Sequence, residues 1–188
     1  MPSDSAEVSV VDLDPDSLAM MSLNGRVCFN CPLLENPGAP ASGPSWCRVS
    51  SEDLLRLVRD ERSGVKMALH EKRIVGYAVF GRPALFRNLD LLPVQVDSDA
   101  LLIGALYATP MAEAAGVDAD LLVEIMGFAR DSGYEVVQAA CRPDDTEGPE
   151  GPSRLFSAAG FEVSDTVNGR CLARTTVEEW NEAEEEPE

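Results

Sequence analysis

The spacing of apolar residues along the chain switches between a period of two, typical of strands, and the longer period typical of helices. Strand-like runs lie at 7–13, 65–69, 74–80, 100–108 and 134–141, and a hairpin lies at 161–177. The run 100–108 is almost entirely apolar, which predicts a strand buried on both faces of a sheet. Asn168 and Gly169 predict a type I′ turn in the hairpin.

Helical segments alternate with these strands. Their predicted starts lie at Pro15, at Ser50, ahead of Leu121 and at Arg154. Ser50 and Asp53 form a capping box for the second helix. Glycines are predicted to end three of the helices: Gly64, Gly133 and Gly160. This alternation predicts a mixed α/β fold in a single domain, 1–177.

Three stretches lack a regular pattern. Prolines and glycines interrupt residues 24–46, which we predict to form a long loop. Pro83 and Pro93 leave 82–99 without an assignment. The last residues, 178–188, are mostly glutamate and predict an acidic, disordered tail.

The 188 residues carry a formal charge of −18, from 33 acidic and 15 basic side chains. Such a surface repels nucleic acid and anionic lipid, so we expect neither as a partner, and it attracts amines or basic peptide segments. The alternative is that the charge only keeps the protein soluble. No run reaches the roughly 20 apolar residues of a membrane span, and the first residues do not resemble a signal peptide, so we expect a cytoplasmic protein.

An odd number of cysteines without a secretory signal predicts reduced thiols rather than a disulfide framework. Cys28 and Cys31 form one CxxC pair, and Cys47 lies near them in the predicted loop. Structural zinc takes four ligands, and only this one pair is present. Three further residues could complete the set, none of them favoured by spacing: His70, Cys141 and Cys171. We therefore expect no metal.

The stretch 109–122, TPMAEAAGVDADLL, has the outline of a phosphate-binding loop that leads from a strand into a helix. A glycine there lets backbone amides approach a phosphate, and the positive end of the helix dipole attracts it. The charges in this stretch are nevertheless acidic: Glu113, Asp118 and Asp120. Either they weaken a phosphate site, or they are ordinary first-turn acids that stabilise a helix through its dipole.

The order of the elements, with a buried strand that feeds a glycine-containing loop and a helix, resembles the GNAT family of N-acetyltransferases. Three motifs carry the resemblance: RIVGY at 73–77, LYATP at 106–110 and LFSAAGF at 155–161. The resemblance covers most of the chain. It implies the GNAT fold, a central mixed, mostly antiparallel, twisted sheet of six to seven strands with splayed strands 4 and 5, flanked by about four helices.

The resemblance also implies where the cofactor, acetyl-CoA, would bind. In the family its pantetheine pairs with the backbone of strand 4 in the splayed gap, and its pyrophosphate binds amides at the start of the next helix. The corresponding residues of this chain are Leu106, Ala108, Gly116, Val117, Asp118, Ala119 and Phe156.

Three residues depart from the family pattern. Glu113 stands where the family has Gln or Arg, and Asp118 stands where it has Gly or Ala, so carboxylates would face a dianion. Two like charges about 4 Å apart repel by roughly 1 kcal/mol in bulk water and by about 4 kcal/mol at an effective dielectric of about 20. Phe156 stands where many members have a tyrosine that protonates the leaving thiolate, and phenylalanine cannot transfer a proton.

Tyr107 and Cys141 are the candidate catalytic residues near the expected acetyl position, although both residue types are also common inside sheets. The resemblance implies acyl-CoA-dependent acyl transfer to an amine, either a small molecule or a peptide, and it allows a homodimer. Loop 37–44 and the acids of 144–150 are expected to shape the acceptor site. The acidic loop favours an alternative, a catalytically inactive GNAT-fold binding or regulatory protein that has lost acetyl-CoA.

Overall fold

The computed structural model describes residues 8–18, 29–35 and 49–180. The strands are β1 Ser9–Asp12, β2 Gly64–His70, β3 Arg73–Gly81, β4 Leu101–Ala108, β5 Val136–Arg142, β6 Gly151–Pro152, β7 Glu162–Val163 and β8 Cys171–Thr176. The helices are α1, of which 15–18 are described, α2 Ser51–Arg59, α3 Pro110–Ala114, α4 Val117–Asp131 and α5 Ser153–Ala158.

The described strands form an eight-stranded sheet in the order β1-β2-β3-β4-β5-β8-β7, with β6 paired to β5. Two pairs are parallel, β4 with β5 and β5 with β6, and the others are antiparallel. The predicted mixed, mostly antiparallel sheet is therefore confirmed. The count exceeds six to seven because β6, which has only two residues, is too short to leave a periodic pattern in the sequence.

Strands β4 and β5 separate after a short stretch of pairing. They pair only from Leu101 opposite Val137 to Ile103 opposite Ala139, although both strands continue beyond that point. The register between β3 and β4 skips Gly104, which is therefore the extra residue of a β-bulge. A bulge bends its strand. The bend begins where the pairing with β5 stops, so it accounts for the predicted splay of strands 4 and 5.

Two apolar layers cover the sheet. Side chains of α4 and α5, such as Ile125 and Phe156, pack on one face with Ile103 of β4. The segment 29–35 and helix α2 cover the opposite face, where Leu57 packs with Leu102 of β4. Since Leu102 and Ile103 are adjacent, β4 is buried on both sides, as its apolar run predicts.

The described helix ends agree with the sequence in all but one case. The Ser50 hydroxyl accepts the Asp53 N–H and caps α2, as predicted. Gly133 and Gly160 have positive φ directly after α4 and α5. Gly64 was expected to end α2, and this prediction is wrong, because the helix stops at Asp60, whose carboxylate accepts the Arg62 N–H in a local turn. Gly64 instead begins β2.

Several predicted segments differ in detail or lie outside the described residues. The predicted loop that leads from β4 into α4 contains a short helix of its own, α3, with Pro110 in its first turn. The unassigned 82–99 contains two single-turn 3-10 helices, Pro83–Leu85 and Leu89–Leu91. Residues 177–180 are helical and overlap the start of the predicted tail, 178–188, and the Trp180 ring packs edge-on against Phe161. Loop 37–44 and residues 181–188 lie outside the described ranges.

None of the described helices is long and apolar enough to cross a membrane.

Candidate cofactor groove

The gap between β4 and β5 is occupied by the chain itself, through residues 143–152, which we call the strap. The Leu106 N–H of β4 donates to the Pro149 carbonyl at 2.9 Å. On the other side of the gap, Gly151 and Pro152 of β6 pair in parallel with Cys141 and Arg142 of β5. The strap therefore bridges the two strands where they no longer reach each other.

Two arginines hold the strap from the β5 and β8 side. Glu150 is buried, and its Oε1 lies 3.0 Å from Nε of Arg170. Arg142 donates from Nε to the Glu150 carbonyl at 2.9 Å, and from a terminal nitrogen to the Thr146 carbonyl. Hydrogen bonds of a charged donor are stronger than those between neutral groups. The Asp144 carboxylate also accepts from the Ser153 hydroxyl and from the Arg154 N–H at the start of α5, so the strap is held by polar contacts at both of its ends.

The buried end of the strap packs on Phe156. A Cβ added to Gly151 would lie 2.8 Å from Cε2 and 3.0 Å from Cζ of the Phe156 ring, and 3.6 Å from Cδ2 of Leu106. Glycine is therefore needed for this close approach. Phe156 is completely buried, so its ring forms part of the floor beneath the strap.

The start of α4 carries the predicted phosphate-binding amides. Gly116 has φ of 83° and precedes the helix, a conformation that favours glycine. The first amides of a helix have no intrahelical acceptor, but Oδ1 of Asp118 accepts the Ala119 N–H at 3.1 Å. The Asp118 side chain is buried, and burial raises the pKa of its carboxyl. Its carboxylate thus lies at the amides that a phosphate would need.

Glu113 faces cations across the mouth of the gap. Its carboxylate contacts Arg154 of α5 and lies 3.9 Å from Nη2 of Arg142. Since α3 follows β4 while Arg142 and Arg154 belong to the β5 side, these ion pairs connect the two sides. Glu113 therefore closes the mouth of the gap in this conformation.

The two catalytic candidates lie on opposite faces of the sheet. Tyr107 is half-buried beside the Tyr77 ring, with ring centroids 5.4 Å apart, in the layer that includes α2. Cys141 is fully buried in the layer of α4 and α5, directly across from Cys171 of β8. The structure therefore does not bring Tyr107 and Cys141 together, and their catalytic role stays a prediction.

The buried thiols are expected to be unreactive. Burial raises the pKa of the Cys31 thiol to about 12, and it raises the pKa of the Cys141 thiol well above its ordinary value. Because the thiolate is the nucleophile, we expect iodoacetamide at pH 8 to leave Cys141 unmodified in the native protein and to modify it in denaturant. Peptide mass spectrometry measures the extent of Cys141 modification in the native and in the denatured protein. Native modification of Cys141 at the denatured rate would contradict this burial.

Within the described ranges, no three His, Cys, Asp or Glu side chains are grouped so that they could hold a metal ion. Cys28 and Cys47 lie outside those ranges. The expectation that the chain binds no metal therefore stays a prediction.

Three arginines that the sequence did not single out as functional residues lie around the strap. Arg142 and Arg154 pair with Glu113, and Arg170 pairs with Glu150, one of the acids expected at the acceptor site. The sequence signal nearest to them is the segment 143–152, which is rich in proline, glycine and acids. Of the predicted cofactor residues, Leu106 and Phe156 belong to one buried layer and Gly116 precedes α4; their binding of a cofactor stays a prediction.

The groove in this conformation does not fit acetyl-CoA. The Leu106 N–H is already paired with Pro149, and Asp118 covers an amide at the start of α4. A pantetheine on β4 would require the strap to move.

No protein-family model matches the chain, and no curated protein matches its sequence. Solved structures do match. The acetyltransferase of the GNAT family from Streptococcus pneumoniae has a TM-score of 0.59 at 13% identity, covering 90% of this chain and 99% of that one. PaiA N-acetyltransferase from Thermoplasma acidophilum, in complex with coenzyme A, has a TM-score of 0.57 at 15% identity, with 90% and 99% covered.

A GNAT family acetyltransferase from Elizabethkingia anophelis, with acetyl-CoA bound, has a TM-score of 0.53 at 13% identity, covering 90% of this chain and 97% of the other. At such identities the likeness concerns the arrangement of the backbone. With its bulged β4, its splayed β5 and its helix after Gly116, the chain has the fold of the GNAT acetyltransferases.

Proposed function

We propose that the protein is an acyl-CoA-dependent N-acyltransferase. One observation carries the proposal: beyond the bulge, the Leu106 N–H of β4 faces the splayed gap and binds the carbonyl of an extended segment at 2.9 Å. A pantetheine arm offers the same kind of amide carbonyl. Two structures of the same fold are described with coenzyme A or acetyl-CoA bound, which supports this ligand class.

The start of α4 supports an anionic ligand near the same strand. Ala108 ends β4 and leads through α3 to Gly116, whose positive φ precedes the first helical amides. A helix start of this kind attracts phosphate through its amides and its dipole. Asp118 opposes this attraction, so we expect weak binding of the cofactor.

The acceptor is proposed to be an amine. Asp144, Asp145 and Glu147 are exposed on the strap, and the whole chain has a net charge of −18. An acidic rim attracts cationic amines and repels nucleic acid. Both a small amine and the amino group of a peptide fit this charge.

A second candidate is a catalytically inactive GNAT-fold binding or regulatory protein. The observation that favours it is Phe156, which is completely buried and packs against Gly151 of the strap. This position carries no hydroxyl that could protonate a leaving thiolate. Such a protein would keep the strap in the gap permanently.

Thermal unfolding with and without acetyl-CoA separates the two candidates. A ligand at about 100 times its Kd stabilises the native state by roughly 2.7 kcal/mol, so the acyltransferase is expected to show a clear rise in Tm at millimolar acetyl-CoA. An unchanged Tm with acetyl-CoA and with longer acyl-CoAs would refute the acyltransferase proposal and leave the inactive protein.

The Asp118→Gly variant sharpens this test. Removing the buried carboxylate frees the Ala119 amide, so the Tm rise caused by acetyl-CoA is expected to be larger than in the wild type. Asp120→Gly is the matched control, because Asp120 is an exposed acid in the same first turn. If acetyl-CoA raises the Tm equally in both variants, the gain comes from the change in overall charge and not from the amides at the start of α4.

A further inference from the structure

We infer that the strap is a self-inhibitory occupant of the cofactor groove, which must leave β4 before an acyl-CoA can bind. This inference rests on the proposed acyltransferase function and concerns the regulation of that site. The strap comprises residues 143–152, between β5 and α5.

The first argument comes from the backbone. The Leu106 N–H donates to Pro149 at 2.9 Å, and the same strap completes the sheet on the other side through Cys141 opposite Gly151. An N–H group supplies one donor, so it cannot serve Pro149 and a pantetheine carbonyl with full strength at once. The strap and an extended ligand therefore compete for the same edge of β4.

The second argument comes from Phe156. The Phe156 ring is completely buried, and its outer edge lies against Gly151. A Cβ added to Gly151 would lie only 2.8 Å from Cε2 of the ring. A tyrosine would add a hydroxyl on Cζ beside the strap, and a buried hydroxyl needs a hydrogen-bond partner. The replacement of tyrosine by phenylalanine thus suits the groove with the strap in place.

The third argument comes from Glu113. Its carboxylate pairs with Arg154 and lies 3.9 Å from Arg142, so it joins the two sides of the gap. A glutamine or arginine at this position could not form these ion pairs. Two of the three departures from the family pattern, Glu113 and Phe156, therefore stabilise the closed conformation.

The strap can also detach from β4 at a low free-energy cost. Residues 144–147 are exposed, and the polar anchors are the Glu150 carboxylate, the carbonyls bound by Arg142 and Leu106, and the Asp144 carboxylate, which accepts hydrogen bonds at the start of α5. Segments with few buried apolar contacts open at a low free-energy cost. On opening, Arg142 and Arg170 would lose Glu150 as a partner and would face the gap, where an anionic cofactor could replace it.

Two variants of the strap test the inference in the full-length protein. Glu150→Gln removes the ion pair with Arg170, whereas Glu147→Gln removes the same charge at an exposed position three residues earlier for which the described structure shows no ion pair. Because apparent affinity scales with the open fraction, we expect Glu150→Gln to lower the Kd for acetyl-CoA roughly tenfold and Glu147→Gln to leave it unchanged. Isothermal calorimetry gives both values.

Hydrogen exchange of the amides gives a second readout that does not depend on affinity. Without ligand, the Leu106 amide is expected to exchange slowly in the wild type and faster in Glu150→Gln. With acetyl-CoA, amides of 144–151 are expected to exchange faster, because the strap leaves, while the Leu106 amide stays protected by the ligand.

The outcomes separate this inference from the function on which it rests. If the wild type binds acetyl-CoA and Glu150→Gln binds no better than Glu147→Gln, the strap does not compete, and the inference is overturned while the acyltransferase proposal stands. If Glu150→Gln exposes the Leu106 amide and still no variant binds acetyl-CoA, both fail. Slower exchange in the strap on binding would also overturn the inference, since it would show the strap as part of the bound state.

Discussion

Replacing Phe156 with alanine is expected to lower the free energy of unfolding by about 3–5 kcal/mol, the range for a large aromatic residue removed from a core. The ring is completely buried, packs edge-on against Phe161 with centroids 5.4 Å apart, and supports Gly151 of the strap. Its loss leaves a cavity beneath α5 and takes away the surface on which the strap rests. Urea unfolding followed by circular dichroism measures the change.

Phe128→Ala is the matched control for this prediction. Phe128 also makes one edge-on aromatic contact, with Phe80 at 5.0 Å, but it is only half-buried at the surface of α4. We expect a clearly smaller loss of stability. If both variants lower the free energy of unfolding by the same amount, the Phe156 ring contributes no more to the core than the half-buried Phe128 ring.

Replacing Gly104 with alanine is expected to destabilise the protein by about 1–3 kcal/mol, the range for overpacking in a core. An added Cβ would lie 2.4 Å from Cε1 of Phe86 and 3.1 Å from Sγ of Cys31. Gly104 is also the extra residue of the β4 bulge, so the strain falls where β4 turns away from β5. Loss of stability should therefore be accompanied by a disturbed groove, measurable as faster exchange of the Leu106 amide.

Gly127→Ala makes the same chemical change as Gly104→Ala but is expected to stabilise the protein. Gly127 lies inside α4, and an added Cβ meets no atom within 4 Å. Alanine is favoured over glycine in a helix by up to about 1 kcal/mol, so this variant is expected to unfold at a higher urea concentration than the wild type. A gain in stability from Gly104→Ala would contradict the packing of Phe86 against β4.

Much of the fold could be predicted from local patterns. The continuous apolar run of β4, the capping box at Ser50 and the type I′ turn at Asn168 each express a preference of a few neighbouring residues. Tertiary contacts have little power to change such preferences. Gly64 shows the limit, because the Asp60 turn ended α2 first and the glycine became part of β2 beside Phe80.

The candidate site could be predicted only in outline. Leu106 and Gly116 follow from the order of elements and from the glycine after β4, and the structure has Leu106 in β4 and Gly116 before α4, while their role in cofactor binding stays a prediction. The partners of Glu113 could not be predicted, since Arg142 and Arg154 follow it by 29 and 41 residues and approach it only when α5 packs on the sheet. The pairing of Glu150 with Arg170 has the same origin.

The sequence by itself determined most of the elements, their order and the presence of acids in the stretch 109–122, because periodicity, caps and charge are local properties of the chain. Only the tertiary structure decided that the gap between β4 and β5 is filled. Strap residues have no periodic signal. Their position depends on one β4 amide, on Arg142 and Arg170, and on the buried Phe156 ring, which meet only in the folded chain. Glu113, one of the acids of the predicted phosphate-binding stretch, acquires in the fold a further role as an ion-pair partner of Arg142 and Arg154 that joins the two sides of the gap.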